Sequence, residues 1–191
     1  MFSRMDISQN PQLFKQQFLD GEVFAYPTEA VYGLGCDPTN EAAVMKLLAL
    51  KNRSLEKGLI VIANSKKQLT KFVDFSRVEP EILKQVDDSW PGPNTWLLPK
   101  KQGTPDFITG GSELIAVRVS SHPLVVDICR LLDSAVISTS ANKSGEEPAK
   151  NCQQVFSQFG ESLLCLHGSV GTQKNPSQIR NGLTGETVRA S

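Results

Sequence analysis

The sequence is poor in the residues that build metal centres and disulfide frameworks. Its four cysteines, Cys36, Cys129, Cys152 and Cys165, are widely spaced, form no CxxC, and are accompanied by two histidines. A tetrahedral zinc site is hard to assemble from that set, so the cysteines are expected to be buried thiols of a reducing compartment. Net charge is also missing, with 20 basic residues against 20 acidic ones. This argues against coating nucleic acid by bulk electrostatics and leaves room for one local basic pocket. No apolar run approaches the roughly 20 residues that span a bilayer. The opening "MFSRMDISQNPQLF" lacks an apolar signal core. A cytoplasmic protein is expected. The chain has no GxxxxGK[ST] loop, no GxGxxG fingerprint and no GxSxG elbow. A nucleotide, if bound, is held by some other device. With only His122 and His167 as possible bases, a serine-hydrolase triad is not supported.

What is present reads as a globular α/β protein. A length of 191 residues, 39% hydrophobic, suits a single domain over residues 1–191 that buries its own core. Pro11–Asp20 has helical spacing and is closed by Gly21. "EVFAYP" reads as a strand ending at a proline, and "YGLGCDP" as a glycine-containing turn. Thr39 is the expected N-cap of a helix running to about Leu50. "GLIVIA" has the continuous apolar character of a strand covered on both faces. Helix near Glu79–Val86, strand "TWLLP", strand "ELIAVRVS", helix "SHPLVVDICRLL" and strand-to-loop "SAVISTSAN" follow. The last 40 residues add a weaker helix, "NCQQVFSQF", and short strands near Ser162–Leu166 and Glu186–Arg189. Such alternation predicts a twisted, mostly parallel or mixed sheet flanked by helices. Its ligands should sit beyond the carboxyl ends of the strands.

Four segments carry more polar chemistry than a core requires. In "YPTEAVYGLG", Thr28 and Glu29 project where a strand ends, although a plain loop uses the same residues. In "LKNRSLEKGLIV", Lys51 fits the last turn of a helix, where the dipole already favours a cation. Arg53 and Lys57 lie past the helix and before a strand, so the dipole accounts for them less well, and three cations at one strand entrance suit a phosphate or carboxylate. Arg118 shares an alternating strand face with Leu114, Ala116 and Ser120. A guanidinium buried there needs either a carboxylate partner or an anionic ligand. "STSANKSG" packs Ser138, Thr139, Ser140 and Asn142 at a strand's end, as a hydrogen-bonding loop or a tight turn would. "WPGPNTW" reads as a rigid turn packed on the core.

These segments, in this order, resemble the YrdC-like threonylcarbamoyl-AMP synthases in their short, single-domain bacterial form, over about residues 8–190. The motifs are "YPTEAVYGLGCDP", "LKNRSLEKGLIV", "WPGPNTW", "LIAVRVSSHPL" and "STSANKSGEEP". One departure stands out: the family pattern K-x-R-S-x-x-K-P is matched by Lys51, Arg53, Ser54 and Lys57, with Gly58 in place of the proline. The resemblance implies a single domain around a large, positively charged cavity. It implies a nucleotidyltransferase that turns L-threonine, bicarbonate and ATP into L-threonylcarbamoyladenylate and pyrophosphate. The product feeds tRNA threonylcarbamoylation at adenosine 37, through further proteins of that modification. By motif position, Lys51 and Arg53 are the catalytic cations on the ATP phosphates, supported by Lys57. Ser140, Asn142 and Arg189 are assigned to the nucleotide, and Thr28, Arg118 and Ser138 to threonine. Mg²⁺ is expected on the phosphates without a carboxylate cage. The other reading is an RNA-binding module that uses the same basic concave surface for tRNA or rRNA; affinity falling steeply with salt, without turnover, would mark it.

Overall fold

The computed structural model describes residues 4–190; Met1–Ser3 and Ser191, the ends of the expected domain, lie outside the described residues. Along the chain run β1 (Arg4–Met5), α1 (Pro11–Leu19), β2 (Phe24–Pro27), β3 (Tyr32–Gly35), α2 (Glu41–Lys51), β4 (Ile60–Ala63), α3 (Lys66–Leu69) and α4 (Pro80–Ser89). Then come β5 (Asn94–Pro99), α5 (Asp106–Thr109), β6 (Leu114–Val119), α6 (Pro123–Leu132), β7 (Val136–Ser140), α7 (Cys152–Phe159), β8 (Leu164–Leu166), β9 (Gln178–Asn181) and β10 (Thr187–Arg189).

The strands form one mixed sheet of ten, ordered β1-β8-β2-β3-β7-β4-β6-β5-β9-β10. Parallel neighbours are β1–β8, β8–β2, β4–β6 and β5–β9. The remaining neighbours are antiparallel. Strand β7 lies between β3 and β4, with Ser138 opposite Ile60 and Ser140 opposite Gly33. Its hydroxyls therefore enter the middle of the sheet. The core divides by face. Phe14 and Phe18 of α1, and Val125 and Ile128 of α6, pack with Ile62 and Val136. The alternate residues Val61, Val117 and Ile137 join Val44, Leu47 and Leu48 of α2. The apolar face of each helix thus decides which side of the sheet it covers.

Several local readings change. The "YGLG" turn is strand β3, paired along its whole length with β2. Glycine is needed there because a Cβ on Gly35 would lie 2.8 Å from both the Ile137 carbonyl and the Tyr26 ring. The cap of α2 is Asn40, whose side chain accepts from the Ala43 amide at 3.1 Å. Thr39 instead donates to Asp37, from both its amide and its hydroxyl. All four cysteines are buried, but Cys152 and Cys165 form a disulfide joining α7 to β8, and only Cys36 and Cys129 are thiols. Strand β9, with its residues half-buried and no alternation to betray it, escapes a reading of the sequence. The rigid-turn reading of "WPGPNTW" agrees with the structure: Trp90 Nε1 donates to the Asn94 carbonyl at 2.7 Å, and Trp96 Nε1 to Ser89 Oγ at 2.9 Å.

Candidate active site

A cavity of about 460 Å³ opens on one face of the sheet. Its floor is apolar and comes from strand alternation: Leu114 and Ala116 of β6, Leu97 of β5, Ile60 of β4 and Ile179 of β9. The same period of two sends Ile115, Val117 and Val119 into the core on the opposite face, and it sends Arg118 into the cavity. Around this floor the chain sets Arg53, Lys57, Arg118 and Arg189, with the hydroxyl-bearing Thr28, Ser138, Thr139, Ser140 and Ser177.

Arg53, Arg189 and Lys51 are held by backbone carbonyls, not by counter-ions. Helix α2 stops because Asn52 adopts a left-handed conformation, φ 50°, which turns the chain and frees Arg53 from the helix. Arg53 Nη2 donates to the Gly58 carbonyl at 2.9 Å, while its Nε is buried without an acceptor. Arg189 Nη2 donates to the Ser177 carbonyl at 2.8 Å. Lys51, 5% exposed, donates from Nζ to the carbonyls of Ser140 and Asn142. Burial, and then the charge of Arg53, push the Lys51 ammonium down to about 8. Arg53 is lowered by burial and by Arg189, and Arg189 by burial and by Arg118. Each of these three cations is thus lowered first by burial and then by the next cation along. A partly dry site with mutually repelling positive charges is complementary to a polyanion.

Arg118 differs, having found a carboxylate. Its Nη2 lies 3.4 Å from Glu29 Oε2, both side chains being buried. Glu29 Oε1 accepts from Ser120 Oγ at 2.6 Å and from the Ser121 amide at 3.2 Å. Burial alone would raise the Glu29 carboxyl, but Arg118 and these hydrogen bonds outweigh it and hold it below its ordinary value. Of the two alternatives raised for Arg118, the structure shows the carboxylate partner, and the residue also lines the cavity.

The structure brings Thr28, Arg53, Lys57, Arg118, Ser138, Ser140 and Arg189 to one cavity. Lys51 and Asn142 line an adjoining groove of about 170 Å³, which shares Arg53, Lys57 and Ser140 with the cavity. The Asn142 side chain is engaged by its own loop: Oδ1 accepts from Ser140 Oγ at 2.6 Å, and Nδ2 donates to the carbonyls of Lys143 and Glu146. The Thr28 hydroxyl donates to the Val31 carbonyl at 2.7 Å and keeps its acceptor capacity. Sequence reasoning missed Ser177, whose hydroxyl lies 2.9 Å from that of Thr95 inside the wall. The only local signal was "NPS", a loop-to-strand entry. Gly58 takes φ 58°, ψ 172°, a conformation closed to proline. Among the described residues no group of three or more His, Cys, Asp or Glu is arranged to hold a metal, and no helix is long and apolar enough to cross a membrane.

A mixed sheet with this strand order around a cation-lined cavity is a YrdC-like α/β domain. E. coli YciO shares the fold at a TM-score of 0.78 and 17% identity, over 97% of this chain and 93% of that one. The family model Sua5_yciO_yrdC, described as "Telomere recombination", matches residues 16–191, and the chain belongs to that family. Threonylcarbamoyl-AMP synthase of Pseudoalteromonas atlantica (strain T6c) is 49% identical over 176 residues, 92% of this chain and 94% of the relative. The enzyme of the same name from Serratia proteamaculans (strain 568) is 50% identical over 168 residues, 88% and 89% of the two chains. P. abyssi Sua5 complexed with L-threonine superposes at a TM-score of 0.84 with 28% identity. That match covers 93% of this chain, which spans 52% of the Sua5 chain.

Proposed function

We propose that this cavity performs the threonylcarbamoyl-AMP synthase reaction, with the whole chain serving as one catalytic domain. L-threonine, bicarbonate and ATP yield L-threonylcarbamoyladenylate and pyrophosphate. The amine of threonine takes up the carbon of bicarbonate with loss of water. A carbamate oxygen then attacks the α-phosphorus of ATP, and the bond to the β-phosphate breaks to release pyrophosphate.

Two anions must meet and a third must leave, so the work is positioning and charge neutralisation. The observation that carries this reading is the gathering of Arg53, Lys57, Arg118 and Arg189 around one cavity, with Lys51 in the groove that adjoins it. Arg53, Lys57 and Arg189 hold the phosphates, and Lys51 supports them from the adjoining groove. Arg118 takes the carboxylate of threonine. Thr28 and Ser138 lie on the same wall, within reach of its side chain, while Ser140 and the loop braced by Asn142 border the nucleotide. Mg²⁺ arrives on the ATP phosphates; the carboxylates lining the cavity, Glu29 and Glu56, do not make a cage for it. The product passes to the proteins that threonylcarbamoylate tRNA, which supports a cytoplasmic setting.

The test is turnover. Purified protein with ATP, labelled bicarbonate and threonine should release pyrophosphate and incorporate label into a threonylcarbamoyl adenylate, with serine a poorer substrate. Absence of threonine-dependent release, under conditions where a P. atlantica-type synthase turns over, would sink the proposal.

A further inference from the structure

Two carboxylates line the cavity. Glu56 is exposed in the turn after Arg53, whereas Glu29 is 7% exposed and fixed in the wall. One oxygen of Glu29 is fully occupied by Ser120 and Ser121. The other, Oε2, lies at ion-pair distance from Arg118 yet accepts no hydrogen bond. Arg118 mirrors this, since its Nε is buried without an acceptor. One ion pair in the cavity wall therefore carries an unsatisfied acceptor on its carboxylate and an unsatisfied donor on its guanidinium. Orphaned buried polar atoms of this kind call for a partner.

The separation suggests which partner. The charges of the pair are 3.4 Å apart. A free amino acid carries its ammonium and carboxylate roughly 3 Å apart across one Cα. We propose that Glu29 receives the α-ammonium of the amino-acid substrate while Arg118 takes its α-carboxylate. This rests on the assignment of Arg118 made above. Among the charged groups that line the cavity, Glu29 is the buried carboxylate, and it favours an amine end over a second anion. Its carboxylate stays ionised and so holds a cation instead of removing its proton. Once the ammonium has released one proton to solvent and the free amine has displaced water from bicarbonate, the carbamate N–H can still donate to Oε2. The same contact then keeps the carbamate oxygens turned away from Glu29 and towards the Arg53 side of the cavity.

The experiment compares L-threonine with 2,3-dihydroxybutanoate, which replaces the ammonium by a hydroxyl, by calorimetry in the presence of a non-hydrolysable ATP analogue. The wild-type protein should bind the dihydroxy acid weaker by on the order of 10²-fold, since a neutral hydroxyl gives the buried carboxylate a hydrogen bond without the charge of an ammonium. Glu29→Gln should weaken threonine by a similar factor, with the dihydroxy acid and the ATP analogue unchanged. Equal affinities in the wild-type protein would overturn the inference, as would Glu29→Gln weakening both ligands alike, the mark of mere support for the wall. If Glu29→Gln does not fold, the wild-type comparison decides alone. Binding of neither acid to the wild-type protein would overturn the site reading itself. Intact threonine affinity without discrimination removes only the role of Glu29.

Discussion

The ammonium of Lys51 donates to the backbone carbonyls of Ser140 and Asn142, the latter at 2.6 Å, so the last residue of α2 fastens the end of β7. Neither partner carries charge. Lys51 therefore brings an uncompensated cation to the junction of groove and cavity, and it organises the loop that follows β7. Replacing it removes both, and Lys51→Ala should lower kcat/KM by at least roughly 10²-fold.

The pH behaviour of Lys51 follows from its lowered pKa. Between about 8 and the ordinary 10.5 the folded protein holds fewer protons here than the unfolded chain. Burying the charged amine thus costs stability in full below about pH 8, and the cost fades as pH rises through that window. Relative to Lys51→Met, the free protein should gain unfolding free energy over the same range in urea titrations. An ATP phosphate pulls the pKa back up, so binding near pH 8.5 should take up protons. Calorimetry in buffers of different ionisation enthalpy reads that uptake, which should vanish in Lys51→Met.

Arg118→Ala should raise KM for threonine and cut turnover by at least roughly 10²-fold, with binding of an ATP analogue retained. It also strands Glu29 as a buried, unpaired carboxylate, at a cost of about 3–5 kcal/mol. A thermal melt records the second effect independently of the kinetics. Near-wild-type turnover would show that the threonine end has been misplaced.

Gly58→Pro restores the residue that the family pattern places there, yet in this fold it should do harm. Proline cannot adopt φ 58°, and it lacks the N–H that donates to the Leu55 carbonyl at 3.1 Å. The backbone must rearrange at a cost of roughly 1–3 kcal/mol, which displaces the carbonyl that anchors Arg53. We expect a lower melting temperature together with a raised KM for ATP, and an unchanged KM for threonine.

Asn142→Ala should act through the loop. Its side chain braces Ser140, Lys143 and Glu146, so the loss should weaken the ATP analogue several-fold and cost about 1–2 kcal/mol of stability. Ser140→Ala removes one hydroxyl and should cost less stability. Equal melting temperatures for wild type and Asn142→Ala would contradict the bracing role.

Much of this was legible in the chain. Period-two alternation in "ELIAVRVS" placed Arg118 on one face with Leu114 and Ala116, and helical spacing marked α1. The cations ahead of "LIVIA" stood out as a cluster, and the structure gathers them at the cavity and its adjoining groove. Pairings over long separations were not legible. Nothing local shows that Glu29 meets Ser120 across 91 residues, or that Cys152 and Cys165 meet across α7 and β8. Strand β3 was hidden because its two glycines carry turn propensity, and only the crowding against β7 and the Tyr26 ring explains why the strand needs Gly35.

The central claim is that one cavity holds the nucleotide phosphates on Arg53 and Arg189 and threonine on Arg118. A crystal structure with a non-hydrolysable ATP analogue and L-threonine tests it most directly. The account predicts phosphate density at Arg53, Lys57 and Arg189, with the threonine carboxylate on Arg118. Phosphates lying elsewhere on the surface, or threonine outside the cavity with Arg118 still bound only to Glu29, would contradict it.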